Sequence, residues 1–245
     1  MRTPFSGFPR EGIDFLRRLA RNNRREWFQP RKAVFDDQVK RPMRELVEAV
    51  DAALVRFAPK HVTDPDRAIY RFYRDTRFSA DKSPYKDRIA ANFPPSGLTR
   101  HDSASYYFSV SDKHVAIGGG LYMPTPETLT ALRRHIAARH QELRKIMASR
   151  ALRSLFGEMQ GDRLTRVPKG FPSDHPAADL LRFKQFLYYV ELPGELAVTP
   201  AIYGEIVKRF RAMASFTDFL NEGLTPPARG PAEFASSPRA RRAKA

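Results

Sequence analysis

The sequence predicts an α+β protein built on a mainly antiparallel sheet of about five strands, packed with N-terminal, middle and C-terminal helices. Three observations lead there. Apolar residues in the first sixty positions recur at helical spacing. The period then falls to two in segments joined by short turns. Helical spacing returns after residue 125 and closes the chain. Helices at both ends with hairpin-linked strands between them are the pattern of an antiparallel sheet with segregated helices.

Each element has its own reason. Ile13, Leu16, Leu19 and Ala20 share one helical stripe. Asn22 suits a helix end, and Asn23 with Glu26 three residues on reads as a capping box for the next helix, which opens on Trp27 and Phe28. A third stripe runs through Met43, Leu46, Val47, Val50, Leu54 and Phe57, with Pro42 in its first turn. Residues 69–78 then alternate, with Arg71, Tyr73, Asp75 and Arg77 opposite Tyr70, Phe72, Arg74, Thr76 and Phe78. Residues 86–93 alternate again. Pairing the two segments as regular strands would gather Arg71, Asp75, Arg77, Lys86, Arg88 and Asn92 on one sheet face. The other face would bury Tyr70, Phe72, Phe78, Ile89 and Phe93.

Residues 104–110 and 114–123 read as a hairpin turned at Ser111-Asp112-Lys113. Inside it, Gly118-Gly119-Gly120 marks a bulge or a close backbone approach. A helix opens at Thr125 or Pro126 and carries Leu129, Leu132, Ile136, Leu143 and Ile146 on its apolar side. A short helix over 152–159 and a loop over 169–176 follow. Residues 185–192 form the last strand and 202–220 the closing helix. We expect one α+β domain over residues 1–222, helical over 8–60 and sheet-containing over 67–222. Residues 223–245 are rich in Pro, Ala and Arg, with Phe234 the one large apolar residue beyond Leu224, and are expected to be a disordered basic tail.

The chain of 245 residues has a net charge of +16 and no cysteine, which excludes disulfides and thiolate chemistry. No apolar run approaches a membrane span and no secretory leader is evident, so no membrane partner and a cytoplasmic location are expected. Residues 1–44 alone carry twelve Arg or Lys against five Asp or Glu. Such charge fits a polyanionic partner. It also fits plain composition, since 32 of the basic residues are Arg and 11 are Lys.

The densest chemistry lies in residues 71–88, RFYRDTRFSADKSPYKDR, where six basic and three acidic residues sit among four aromatics. Arg71, Arg74, Asp75, Arg77, Phe78, Asp81, Lys82 and Tyr85 spell Arg-x-x-Arg-Asp-x-Arg-Phe-x-x-Asp-Lys-x-x-Tyr. This resembles the bacterial and fungal family called domain of unknown function 2461. The likeness extends to Asn22-Asn23 with Trp27-Phe28, to Gly118 through Tyr122, and to His175-Pro176 before Lys184. The resemblance implies membership over roughly residues 5–222 and brings no assigned activity with it.

The residues themselves leave three readings open. Arg71, Arg74, Asp75, Arg77, Asp81, Lys82, Tyr85 and Lys86 could bind a small phosphate- or carboxylate-bearing ligand, since guanidinium forks match such oxygens. In that reading Arg74 and Arg77 make the main contacts, Asp75 or Asp81 holds them, and Gly118 to Gly120 leave room beside them. The same face with Tyr70, Tyr73, Tyr106, Tyr107 and Phe108 could bind nucleic acid by charge and stacking. Or the motif is an ion-pair network in a structural or interaction protein. No zinc signature, phosphate loop, dinucleotide fingerprint or serine-hydrolase elbow is present. Asp174-His175-Pro176 reads as a cap or a loop. The sequence specifies no cofactor, metal, reaction or oligomeric state.

Overall fold

In the computed structural model, which describes residues 4–75, 77, 80–99 and 101–224, the apolar stripes set the packing. Helix α1 (Arg10–Arg21) buries Ile13, Phe15, Leu16 and Leu19, and Asn22 ends it by donating its N–H to the Leu19 carbonyl. Two short helices, α2 (Arg25–Phe28) and α3 (Lys32–Phe35), and a π-helical turn (Asp36–Lys40) lead into α4 (Arg41–Leu54). On α4, Met43, Leu46, Val47, Val50 and Leu54 are fully buried. A fully buried aliphatic or aromatic side chain of this kind stabilises by roughly 1.5–3 kcal/mol. A short α5 (Pro65–Ala68) starts on Asp64, whose carboxylate accepts the Asp66 N–H.

One antiparallel sheet follows, with strands β1 (Ile89–Phe93), β2 (Ser105–Val110), β3 (His114–Leu121) and β4 (Phe186–Pro193) in that spatial order. The hairpin between β2 and β3 turns where expected: Ser111 Oγ accepts the N–H groups of Lys113 and His114. Between β3 and β4 the chain makes α6 (Pro126–Met147), α7 (Arg150–Phe156) and α8 (Ala178–Leu181). Thr125 caps α6 through its hydroxyl, which accepts the Thr128 N–H. The last helix, α9 (Ala201–Glu222), lies across one sheet face. There Phe210 stacks on Tyr106 with ring centroids 4.8 Å apart, and Phe216 meets Tyr188 edge-on at 4.9 Å.

Among the described residues the sheet has four strands, so the expectation of about five is corrected at residues 69–78. Among the described residues, that segment pairs with the chain from Tyr85 onward through single bridges, Ile69 with Ala91 and Tyr73 with Tyr85. The first arm takes four steps between those bridges and the second takes six. Two surplus residues therefore bend out near Asp87 and Arg88 and break the ladder. Phe78 and Thr76, given places on that strand, lie outside the described residues. So does the expected tail from residue 225 onward.

The Asn23 capping box is also corrected. The residue before α2 is Arg24, and among the described residues no side chain caps that helix. Among the described residues, no helix is long and apolar enough to cross a membrane.

Candidate functional site

The motif segment is held by the N-terminal helices rather than by the sheet. Tyr85 is fully buried and stacks on Phe28, with ring centroids 4.1 Å apart and planes 22° apart. Phe72 is buried against Phe35 at 4.3 Å. The side chain of Asn23 closes the arrangement. Its Nδ2 donates to the Tyr85 carbonyl at 2.9 Å, and its Oδ1 accepts the Tyr85 N–H at 3.0 Å. The outward-facing backbone of the second arm is thus satisfied by one carboxamide where a further strand would otherwise be needed. Arg74 N–H to the Pro84 carbonyl and Lys86 N–H to the Phe72 carbonyl, both 2.9 Å, tie the arms together.

The charged members of the motif divide into two groups. In the outer loop, Arg77 forks onto Asp75, with Nε to Oδ1 at 3.0 Å and Nη2 to Oδ2 at 2.8 Å. That hydrogen bonding draws the Asp75 carboxyl down to about 2. Arg74 pairs with Asp81. Asp81 lies below the usual carboxylate range, first through its hydrogen bonds from Ser83 and then through the Arg74 charge. Lys82 is exposed. Lys86 Nζ sits 5.1 Å from the centre of the Tyr70 ring, a cation–π contact. On the inner arm, Arg71 is exposed and faces a cavity.

That cavity, of about 930 Å³, lies between the N-terminal helices and residues 69–73. Phe28, Phe35, Ile69, Phe72 and Ile89 supply its apolar wall. Five cations reach it: Lys32, Lys40, Arg41, Arg44 and Arg71, against two carboxylates, Asp36 and Asp66. Lys32 pairs with Asp36, and Arg44 with Asp66 at 2.6 Å. Arg41 pairs outside the cavity lining, with Asp37 at 2.9 Å and Glu45 at 3.3 Å. Lys40 and Arg71 have no ion-pair partner among the described residues.

Of the eight residues singled out in the sequence, Arg71 lines this cavity. Arg74, Asp75, Arg77 and Asp81 pair with one another in the loop, and Tyr85 is core. Lys32, Lys40, Arg41 and Arg44 were missed. The signal that points to them is the excess of positive charge over residues 1–44. Gly118 to Gly120, expected beside the arginines, line a different cavity, and Tyr70 lies between the two. His175 acts as a loop cap, its Nδ1 accepting the Ala177 N–H at 3.0 Å.

The model of the family described as conserved hypothetical protein (DUF2461) matches residues 11–219. The chain belongs to that family, as its motif led us to expect. No curated protein and no solved structure matches it.

Proposed function

We propose that this member of the family binds a small ligand in which a phosphate or carboxylate is joined to an apolar or aromatic body. The observation that carries the reading is the pairing of Lys40 and Arg71, cations with no carboxylate of their own among the described residues, with an aromatic wall in one cavity. A cavity of this size is in the range of small-molecule sites, which are mostly apolar with a few convergent polar groups. Arg71 offers a planar fork for two ligand oxygens and Lys40 a point charge. The ring wall of Phe28, Phe35 and Phe72 takes the apolar part. In this reading the Arg74–Asp81 and Arg77–Asp75 pairs shape the loop and do not touch ligand. Residues 1–222 act as one folding unit that holds both walls.

A thermal-shift series tests it, with inorganic phosphate, citrate and phenyl phosphate. Phenyl phosphate should stabilise the protein more than inorganic phosphate at equal concentration, because only it fills the apolar wall. A charge-assisted contact contributes roughly 1.5–3 kcal/mol. Arg71→Gln or Lys40→Gln should therefore weaken binding about ten- to a hundred-fold while leaving the unliganded midpoint in place. If none of the three anions shifts the wild-type midpoint, the reading fails.

A further inference from the structure

On the sheet face opposite α9, the central row has an unusual make-up. In register across the four strands stand Asn92, Tyr107, Gly118 and Tyr189. Neighbouring strands are about 4.8 Å apart. Two tyrosines therefore flank a position with no side chain. The glycine is required there. A Cβ on Gly118 would lie 2.7 Å from the Tyr188 carbonyl oxygen and 3.0 Å from Cδ2 of Tyr189. The next glycine on this face, Gly120, has φ +119° and would place a Cβ 2.0 Å from the Phe186 carbonyl oxygen. The floor is flat because the chain leaves no room for it to be otherwise. A cavity of about 660 Å³ stands over it.

Its polar groups converge. Asn92 Nδ2 donates to the Tyr106 carbonyl at 3.1 Å and to Ser105 Oγ at 2.7 Å. A carbonyl only accepts, so this contact fixes which end of the carboxamide is nitrogen. Gln160 is fixed the same way, its Nε2 donating to the Tyr189 carbonyl at 2.9 Å. Each amide oxygen is thereby left as an acceptor. Arg88 supplies donors, and the Tyr189 hydroxyl is turned to Glu191 at 2.8 Å. Arg88 pairs with Asp87 outside the cavity at 3.3 Å, and Glu191 faces His114 at 3.7 Å, so neither formal charge of the lining stands alone, unlike in the cationic cavity on the other side of Tyr70. At the rim, Tyr122 and Met123 keep 62% and 58% of their surface in solvent, large side chains that nothing covers among the described residues.

We infer that this trough is a second binding site, for a neutral planar ring with N–H donors on its edge, the chemistry of a nucleobase. The ring stacks on Tyr107 and Tyr189 over the glycine floor. The two amide oxygens accept from its edge. Stacking on aromatic side chains is sequence-tolerant because every base has a π-face. The donors that meet Asn92 and Gln160 then set which base is preferred.

Saturation-transfer NMR on the full chain tests this, with adenosine, guanosine, cytidine and uridine as probes and methyl β-glucoside as the sugar arm. At least one nucleoside should bind, and methyl glucoside should not. Tyr107→Ala and, separately, Tyr189→Ala should weaken that binding about ten-fold or more, whereas Tyr189→Phe should hold it near wild type. Gln160→Met, at an exposed position, should change the order of preference among the four and keeps the test alive if a tyrosine variant fails to fold. Arg71→Gln should leave nucleoside binding untouched, which separates this site from the anion cavity. A short oligouridine compared with uridine identifies the source. A salt-sensitive gain with length assigns the base to a strand, and equal affinity assigns it to a free nucleoside. Absence of nucleoside binding to wild type, binding of methyl glucoside alone, or full binding by Tyr107→Ala overturns the inference.

Discussion

Arg71 and Arg77 stand six positions apart in one motif, yet they meet different surroundings. Arg77 belongs to an exposed loop that neutralises itself, its fork already on Asp75. Arg71 belongs to an inner arm pinned by buried rings, with no carboxylate to meet among the described residues. The difference teaches that a dense run of charge is not itself a site. An exposed pair in water gains little, because solvent screens it and two long side chains must be ordered. A cation held over an apolar wall keeps its capacity for an incoming anion.

The comparison breaks first at the second arm, which holds the inner one in place. Tyr85→Ala removes a fully buried ring stacked on Phe28, and should cost about 3–5 kcal/mol in a denaturant titration. Were the cost near zero, Tyr85 would not pin the two arms against the N-terminal helices as described. Asn23→Ala comes next. It strands the N–H and carbonyl of Tyr85 and should cost about 1–3 kcal/mol. A smaller loss would show that water replaces the carboxamide.

The outer loop should respond far less. Arg77→Gln should leave the unfolding midpoint where it is, and its effect should be visible only on its partner. Asp75 is held near 2 by Arg77 against an ordinary 3.8. A lowered folded value contributes stability that is present above 3.8 and is lost as pH falls through about 2. A carboxyl NMR titration should find Asp75 near 2 in the wild type and back toward 3.8 in Arg77→Gln. An unmoved midpoint would mean the pair does not form in solution.

How far the sequence reaches follows from the range of each interaction. The stripes of α1, α4, α6 and α9 were legible because helical amphipathicity is written in neighbours three and four apart. The β2–β3 hairpin was legible from its turn, and the close approach at Gly118 to Gly120 from the glycines themselves. The motif arm was not. Alternation over 69–78 suggests a strand, but a two-residue surplus on the partner arm breaks the pairing, and no local pattern records it. Asn23 resembles a cap in sequence because its true partner, Tyr85, lies 62 positions away. The cations of the first cavity were visible as charge but not as a site, since Lys40 and Arg71 share a cavity only through packing of the helices on the arm.

The contrast between Arg71 and Arg77 is tested most directly by one calorimetric experiment: titration of phenyl phosphate into wild type, Arg71→Gln and Arg77→Gln side by side. Arg71→Gln should lose about ten- to a hundred-fold in affinity, and Arg77→Gln should bind as wild type does. Equal binding by wild type and Arg71→Gln, or a loss confined to Arg77→Gln, would contradict the account and move the site to the outer loop.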